Sequence, residues 1–183
     1  MLIDAHCHIE KEYYGDDVGG VIERALAAGV VKMVAVGASR ALEGAREAIA
    51  LADSYDMIYA TAGIHPHEAQ HATEEAFKTI ESMLDHPKIV ALGEVGLDYY
   101  YDNSPRDVQR AVFKRFLEMG KKSDRPIMLH IRERQAHEDC WRMVDEIGLG
   151  PKGGVVHCFS AGPEEARAYL ERGFKLSIPG IVT

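Results

Sequence analysis

Two histidines separated by one residue lie near the amino terminus, in the segment LIDAHCH over residues 2–8. Side chains of an extended strand alternate between its two faces, so His6 and His8 project to the same side. Two imidazoles in this arrangement can bind one divalent cation between them. Nine histidines in 183 residues also make such a pair a frequent chance event, so the pattern alone leaves open two ordinary histidines.

Three later apolar segments end in a residue type that binds metal ions: Glu94, His130 and His157. Imidazole nitrogens combined with one carboxylate form a mixed set that suits Zn²⁺, Mn²⁺ or a similar divalent ion. A carboxylate has two oxygens, so Glu94 can bridge two ions ~3.5 to 4 Å apart. A single histidine at a strand end is more often a hydrogen-bonded core residue, but four of them in one chain favour a metal site.

These residues need a scaffold that brings strand ends together. Apolar segments at residues 2–8, 30–36, 57–64, 89–92, 127–129, 154–156 and 174–178 are predicted strands. Amphipathic segments between them are predicted helices, and Thr73 is the expected N-cap of one. Strands that alternate with helices predict a parallel sheet.

Two architectures have such a sheet, an open doubly wound fold and a barrel. Neither a dinucleotide fingerprint nor a P-loop follows the first strand. Polar residues instead end most strands, and in a barrel those ends surround one mouth, where active sites lie. The prediction is therefore an α/β fold, a TIM-type (β/α) barrel that is incomplete at its C-terminus, with about seven parallel strands.

Composition indicates a single globular domain. Net charge is −8, which argues against broad adhesion to nucleic acid or anionic membrane but allows a local phosphate pocket in which metal ions supply positive charge. No apolar segment approaches the ~18 residues of a membrane span, and no secretory signal is recognised. Three cysteines without C-x-x-C spacing favour the cytoplasm. No membrane partner and a monomer are expected.

Several segments together resemble one family, the TatD-type deoxyribonucleases, which are metal-dependent hydrolases with an amidohydrolase-like barrel. The segments are DAHCH at 4–8, GIHPH at 63–67, GEVGLDY at 93–99, HIR at 130–132, HCFS at 157–160 and SIPGIVT at 177–183. They occur in the family's order along the whole chain, and GEVGLDY with HCFS is quite specific. The resemblance implies a divalent-metal-dependent phosphodiesterase that acts on DNA, as an exonuclease.

The resemblance also implies roles for individual residues. The metal ligands would be His6, His8, Glu94, His130 and His157, holding two divalent ions drawn from Zn, Mn, Mg or Ni. Glu94 and His65 would be the catalytic residues, with His65 facing the substrate phosphate. His65, Arg132 and Tyr99 are the expected substrate-binding residues. Tyr99, Tyr100 and Tyr101 either stack on bases, as aromatic residues do in single-strand grooves, or pack against the barrel.

The chain departs from the family pattern at three places. After HIR at 130–132 it continues as ERQAH at 133–137, which is longer than the family's usual H-x-R-D-A-H segment around Arg132. Glu10 replaces the aspartate that usually follows the H-x-H segment. The sequence also ends at Thr183, after strand seven, without the family's E-T-D-x-P segment. We expect one metal-dependent hydrolase barrel domain over 1–183 that lacks the C-terminal strand and helices, with a gap between strands seven and one. Hydrolysis by this chain alone should be weak, because the aspartate of that segment handles the nucleophilic water.

Remaining conspicuous residues have simpler interpretations. His67 is expected to be a solvated loop residue, whereas Asp98 can orient a ligand histidine. Cys7 and Cys158 are expected to be core thiols. Two other functions stay open: an amide or ester hydrolase on the same barrel, since a fold does not determine a substrate, and an inactive metal-binding remnant.

Overall fold

A computed structural model describes residues 1–182. Its sheet has seven strands, which pair in chain order and are all parallel. The strands are β1 (Leu2–Cys7), β2 (Val30–Ala35), β3 (Ile58–Ala62), β4 (Ile89–Asp98), β5 (Ile127–Arg132), β6 (Gly154–Val156) and β7 (Phe174–Leu176). The sheet curls into an incomplete barrel, which confirms the predicted fold class.

Helices connect successive strands. They are α1 (Lys11–Tyr14), α2 (Val18–Ala27), α3 (Leu42–Ser54), α4 (Glu74–Met83), α5 (Arg106–Lys122), α6 (Arg134–Ile147) and α7 (Pro163–Glu171). Short 3₁₀ segments cover Gly15–Asp17, Pro66–His71 and Gly180–Val182. No helix within residues 1–182 has the length and apolar character needed to cross a bilayer.

Local sequence explains where these helices begin. Thr73 is the N-cap of α4, as predicted, because its Oγ1 accepts a hydrogen bond from the backbone N–H of Ala76 at 3.1 Å. Glu74 and Glu75 follow in the first turn, where negative charge stabilises the helix dipole. In α5, Phe113 and Phe116 are fully buried and form part of the main core between the helices and the sheet.

The strands that carry the site are longer than the sequence pattern predicts. The predicted strand at residues 89–92 extends to Asp98 in the structure, and the one at 127–129 extends to Arg132. The additional residues are part of the sheet because Gly96 pairs with His130 and Asp98 pairs with Arg132. β4 and β5 therefore continue past Glu94 and His130, although their pairing shifts register between Leu92 and Val95, where Glu94 lies.

The sheet is open between its first and last strands. No pairing joins β1 to β7 among residues 1–182, which agrees with the expected gap. Leu2 and Ile3 on β1 are each 59% exposed. The two free edges flank a cavity of about 630 Å³ that includes Met128, Val155 and Ser177 in its wall.

Candidate metal centre

His6 on β1 and His8, directly after the end of β1, come into contact at the mouth of the barrel. Nε2 of His6 lies 3.2 Å from Nε2 of His8, because alternation along the strand points both rings to one side. Nε2 of His6 is also 3.5 Å from Oε2 of Glu94 on β4. Two imidazole nitrogens and a carboxylate oxygen thus converge on one small volume.

His130 on β5 approaches the same carboxylate from the other side. Its Nδ1 lies 3.1 Å from Oε1 of Glu94, and its Nε2 lies 3.0 Å from Oδ2 of Asp98. The contact expected between Asp98 and a histidine of the site is therefore present. Each oxygen of Glu94 faces a different histidine, so the geometry suits a carboxylate that bridges two positions.

His157, which follows β6, completes the ring. Its imidazole stacks on that of His6 with ring centroids 3.3 Å apart and planes 6° apart. Nδ1 of His157 is buried and has no hydrogen-bond partner within residues 1–182. His6, His8, Glu94, His130 and His157 thus form one cluster, which lies on or directly after the strands β1, β4, β5 and β6.

Two glycines allow β4 to run this close to β5. Gly93 has φ +152°, and a Cβ there would lie 2.6 Å from the backbone oxygen of Met128. Gly96 has φ +146°, and a Cβ there would lie 2.0 Å from the backbone oxygen of His130. Larger residues at either position would push the strands apart, so these glycines hold Glu94 within reach of His130.

His65 lies beside this cluster, and one of its two ring nitrogens already has a hydrogen-bond partner in the backbone. Its Nδ1 accepts a hydrogen bond from the backbone N–H of His67 at 3.2 Å. An imidazole nitrogen that accepts carries no proton, so the ring proton of neutral His65 is on Nε2. Burial lowers the pKa of His65 to about 3, which keeps the ring neutral. His65 is therefore arranged as an N–H donor.

Burial and nearby charges set the protonation states of the clustered side chains. Burial lowers the pKa of His6 to about 4, despite the nearby carboxylate of Glu94, so this imidazole has a free lone pair near neutral pH. Burial opposes ionisation of Glu94, but the hydrogen bond from His130 and the neighbouring imidazoles outweigh it and lower the pKa of Glu94 to about 2.

His130 differs because it lies between two carboxylates. Burial opposes its protonation, but hydrogen bonds to Asp98 and Glu94 raise the pKa of His130 to about 9. A cation that binds Nδ1 of His130 must displace the proton there, while the other nitrogen keeps its hydrogen bond to Asp98.

His8 is supported by the buried carboxylate of Glu10. Oε1 of Glu10 lies 3.5 Å from Nδ1 of His8 and accepts a hydrogen bond from Oγ of Ser39 at 3.3 Å. Glu10 is only 7% exposed. This contact orients the His8 ring so that Nε2 faces His6.

Two sequence-based expectations about nearby side chains are corrected. His67 is not a solvated loop residue, since its Nε2 lies 2.8 Å from Oδ2 of Asp98 and its ring lines the mouth. Cys158 is exposed rather than a core thiol, because φ of +50° turns the backbone directly after the His157 position. The sequence pattern could not predict either position, because both residues lie in connections between strands and helices. The course of these connections depends on long-range contacts.

The expected substrate contacts lie on different surfaces. Tyr99 is 2% exposed, and its hydroxyl donates to Oδ2 of Asp139 at 2.9 Å, so the structure turns this side chain into the protein and away from the mouth. Arg132 is exposed, with its guanidinium 4.3 Å from the ring centroid of Tyr100 and 4.7 Å from that of Tyr101. The aromatic surface beside the site thus belongs to Tyr100 and Tyr101.

The donor set fits a divalent metal ion. Ligand atoms of His6, Glu94 and His157 lie within 4.8 Å of one another, as do those of His65, Glu94 and His130. A cation such as Zn²⁺ or Mn²⁺ needs features that this cluster has: the neutral imidazole of His6, the ionised carboxylate of Glu94, and the buried Nδ1 of His157, which has no hydrogen-bond partner among the described residues. The cavity in front of them measures about 440 Å³.

Comparison with known proteins agrees with this geometry. A family model described as TatD related DNase matches residues 3–183. YabD of Bacillus subtilis strain 168, described as an uncharacterized metal-dependent hydrolase, is 40% identical over 183 residues, which cover 100% of this chain and 70% of YabD. A Rahnella protein described as a 3'-5' ssDNA/RNA exonuclease TatD is 36% identical and covers 99% of this chain, which spans 68% of that protein.

A solved structure shows the same fold. The crystal structure of YjjV, a TatD homologue from Escherichia coli K12, matches with a TM-score of 0.85 and 29% identity over 96% of this chain and 66% of that chain. This chain therefore spans only part of the length of each relative. Because the family model covers nearly the whole sequence, the chain belongs to the TatD family of metal-dependent hydrolases.

Proposed function

We propose that this domain is a metal-dependent phosphodiesterase that removes nucleotides from the end of single-stranded DNA. The observation that carries the proposal is the convergence of Nε2 of His6, Nε2 of His8 and the carboxylate of Glu94 beside the N–H donor of His65. The name of the Rahnella relative supports the choice of a single-stranded nucleic acid.

The ligands in this proposal are His6, His8, Glu94, His130 and His157, with Glu94 shared between two positions. When bound there, divalent ions supply Lewis-acid activation of a phosphoryl oxygen and of water. Glu94 offsets their charge, Asp98 orients His130, and Glu10 orients His8.

His65 acts on the substrate in this proposal. Its Nε2–H donates a hydrogen bond to a non-bridging phosphoryl oxygen, which gains negative charge in the transition state. The backbone N–H of His67 holds the required tautomer by donating to Nδ1. Arg132 provides positive charge at the rim for a flanking phosphate, whereas Tyr99 has no part because it is buried.

We also propose that residues 1–183 form one barrel domain whose sheet is completed by a strand that is not among those described. The open edges of β1 and β7 and the partial coverage of the relatives support this. An aspartate on such a strand would complete the acid–base chemistry at the water, and the chain alone should then hydrolyse DNA slowly.

The test uses end-labelled single-stranded DNA with the purified chain and each of Mn²⁺, Zn²⁺, Mg²⁺ and Ni²⁺. Stepwise shortening that depends on metal and is lost in Glu94→Gln supports the proposal. A parallel panel of amide and ester substrates covers the alternative chemistry. If the chain hydrolyses that panel in a metal-dependent way and releases no nucleotides from DNA, the phosphodiesterase proposal is wrong and the protein is an amide or ester hydrolase.

A further inference from the structure

We propose that Tyr100, Tyr101 and Arg132 form a stacking ledge that binds the nucleobase next to the phosphodiester at the metal centre. The inference deepens the proposed function and rests on it. It assigns to this site a single-stranded substrate with exposed bases, bound through the faces of the bases rather than through their hydrogen-bonding edges.

The rings of the ledge face solvent to an unusual extent for large aromatic side chains. Tyr100 is 62% exposed and Tyr101 is 53% exposed, whereas the preceding residue, Tyr99, is buried. The two exposed rings are perpendicular, with centroids 4.9 Å apart. Since they contribute little to the core, packing does not account for their position.

Arg132 joins both rings into one surface. Its guanidinium carbon lies 4.3 Å from the centroid of Tyr100 and 4.7 Å from that of Tyr101. Planar guanidinium groups and aromatic rings are the two kinds of surface on which proteins stack unpaired bases. The positive charge of Arg132 also suits the phosphate that accompanies each base.

The ledge is fixed in place by the residue that supports the metal centre. Oδ1 of the buried Asp98 accepts hydrogen bonds from the backbone N–H groups of Tyr100 and Tyr101, each at 2.9 Å. Its other oxygen, Oδ2, contacts His67 and His130. One carboxylate therefore sets the distance between the ledge and the ligands.

The ledge is also adjacent to the site. The ring of Tyr101 contacts that of His67, with centroids 5.5 Å apart, and the ring of His67 is 4.4 Å from that of His65. Only the ring of His67 therefore separates Tyr101 from His65, the side chain proposed to hold the phosphate. With a net charge of −8, the chain lacks the general positive charge that binds nucleic acid, so local stacking gains importance.

The experiment compares two oligomers that differ only in their bases. One is oligothymidylate of about twelve nucleotides, within the site sizes of single-strand-binding folds, and the other is an abasic oligomer of equal length. Both carry phosphorothioate linkages to slow hydrolysis, and binding is measured by fluorescence anisotropy with Mn²⁺ present. The variants are Tyr100→Leu/Tyr101→Leu and Tyr101→Phe.

Tyr59→Leu is the matched control, because Tyr59 also has cations over its ring, Lys32 and Lys88, but lies on β3 at the opposite end of the barrel. We expect the double variant to weaken binding of oligothymidylate by about fivefold or more and to leave binding of the abasic oligomer unchanged. Tyr101→Phe and Tyr59→Leu should bind like the wild type.

Equal binding of the two oligomers by the wild type, or an equal loss for both in the double variant, would overturn the ledge. The ledge would also be overturned if the wild-type protein bound neither oligothymidylate nor the abasic oligomer. Cleavage of an abasic oligomer with ordinary linkages tests hydrolysis separately. If the protein cleaves DNA but binds both oligomers equally, only the stacking ledge is wrong. If it binds oligothymidylate better than the abasic oligomer but cleaves no oligomer, only the proposed function is wrong.

Discussion

Nε2 of His130 lies 3.0 Å from Oδ2 of Asp98, a carboxylate that is fully buried at the end of β4. His67 contacts the same oxygen at 2.8 Å. These contacts hold the pKa of Asp98 well below its usual range: the hydrogen bonds from His130, the Tyr101 backbone and His67 outweigh burial, which acts in the opposite direction. An ionised carboxylate here fixes the orientation in which Nδ1 of His130 faces Glu94.

Asp98→Asn should weaken metal binding about 10- to 100-fold, the usual effect of losing such a supporting contact. The amide oxygen can still accept from the backbone of Tyr100 and Tyr101, so the fold should survive. Titration calorimetry with Mn²⁺ measures the affinity, and circular dichroism checks the fold. Asp107→Asn, an exposed change on α5, is the control. Unchanged affinity in Asp98→Asn would show that His130 needs no such support.

Glu94→Gln should remove most of the bound metal and nearly all hydrolysis. Glu94 is the carboxylate between His6 and His130, and its amide would neither offset cationic charge nor bridge two ions. Metal analysis after gel filtration reports the stoichiometry. Glu171→Gln on the exposed end of α7 serves as the control. A variant with wild-type metal content would refute the bridging role.

His65→Gln should behave in the opposite way. Because the Nδ1 of His65 already accepts from the backbone of His67, this residue is assigned to substrate and not to metal. The variant should keep the wild-type metal content, while kcat falls about 10²- to 10³-fold, as for loss of one oxyanion donor. Loss of metal together with activity would instead make His65 a ligand.

His137 provides a test of stability against pH, away from the metal ligands. It is buried in α6, and its Nδ1 forms a hydrogen bond with the hydroxyl of Tyr169 at 2.8 Å. Burial lowers its pKa, although Glu165 and Glu133 act in the opposite direction. Below pH 6.5, the ordinary pKa of histidine, His137 therefore binds a proton in the unfolded chain more readily than in the folded chain. Stability should decrease as pH falls below that value.

His137→Gln keeps a side chain that can form a hydrogen bond with Tyr169, and it removes this titration. Its free energy of unfolding, from urea titrations at several pH values, should fall less steeply in acid, by up to about 1.4 kcal/mol per pH unit. The exposed His71→Gln serves as the control and should follow the wild type. Identical slopes in wild type and His137→Gln would mean that His137 does not contribute to acid sensitivity.

The free edge of β1 should promote self-association of the chain. Leu2 and Ile3 are exposed on a strand that pairs on one side only within residues 1–182, and such edges recruit further strands. Ile3→Lys places a charge on this edge and should shift the sedimentation distribution toward monomer at high protein concentration. Val31→Lys, also exposed but on the paired strand β2, should change it less. Equal effects would argue against pairing through β1.

Much of the architecture and the main ligand cluster was predictable from local patterns. Alternation along β1 puts His6 and His8 on one face, and parallel strands place Glu94, His130 and His157 at the same end of a sheet. Both inferences need only the alternation of side chains along a strand and the common direction of parallel strands. For this reason the fold class and the convergence of these side chains are predictable from the sequence.

Other features depend on contacts between residues distant in sequence. The lengths of β4 and β5 follow from close strand pairing at Gly93 and Gly96, and the contact of His67 with Asp98 spans a difference of 31 positions. In the run of tyrosines, burial of Tyr99 against Asp139 and exposure of Tyr100 and Tyr101 beside Arg132 follow from the path of one loop. Loops have no repeating geometry, so their side chains take positions that only the packed barrel defines.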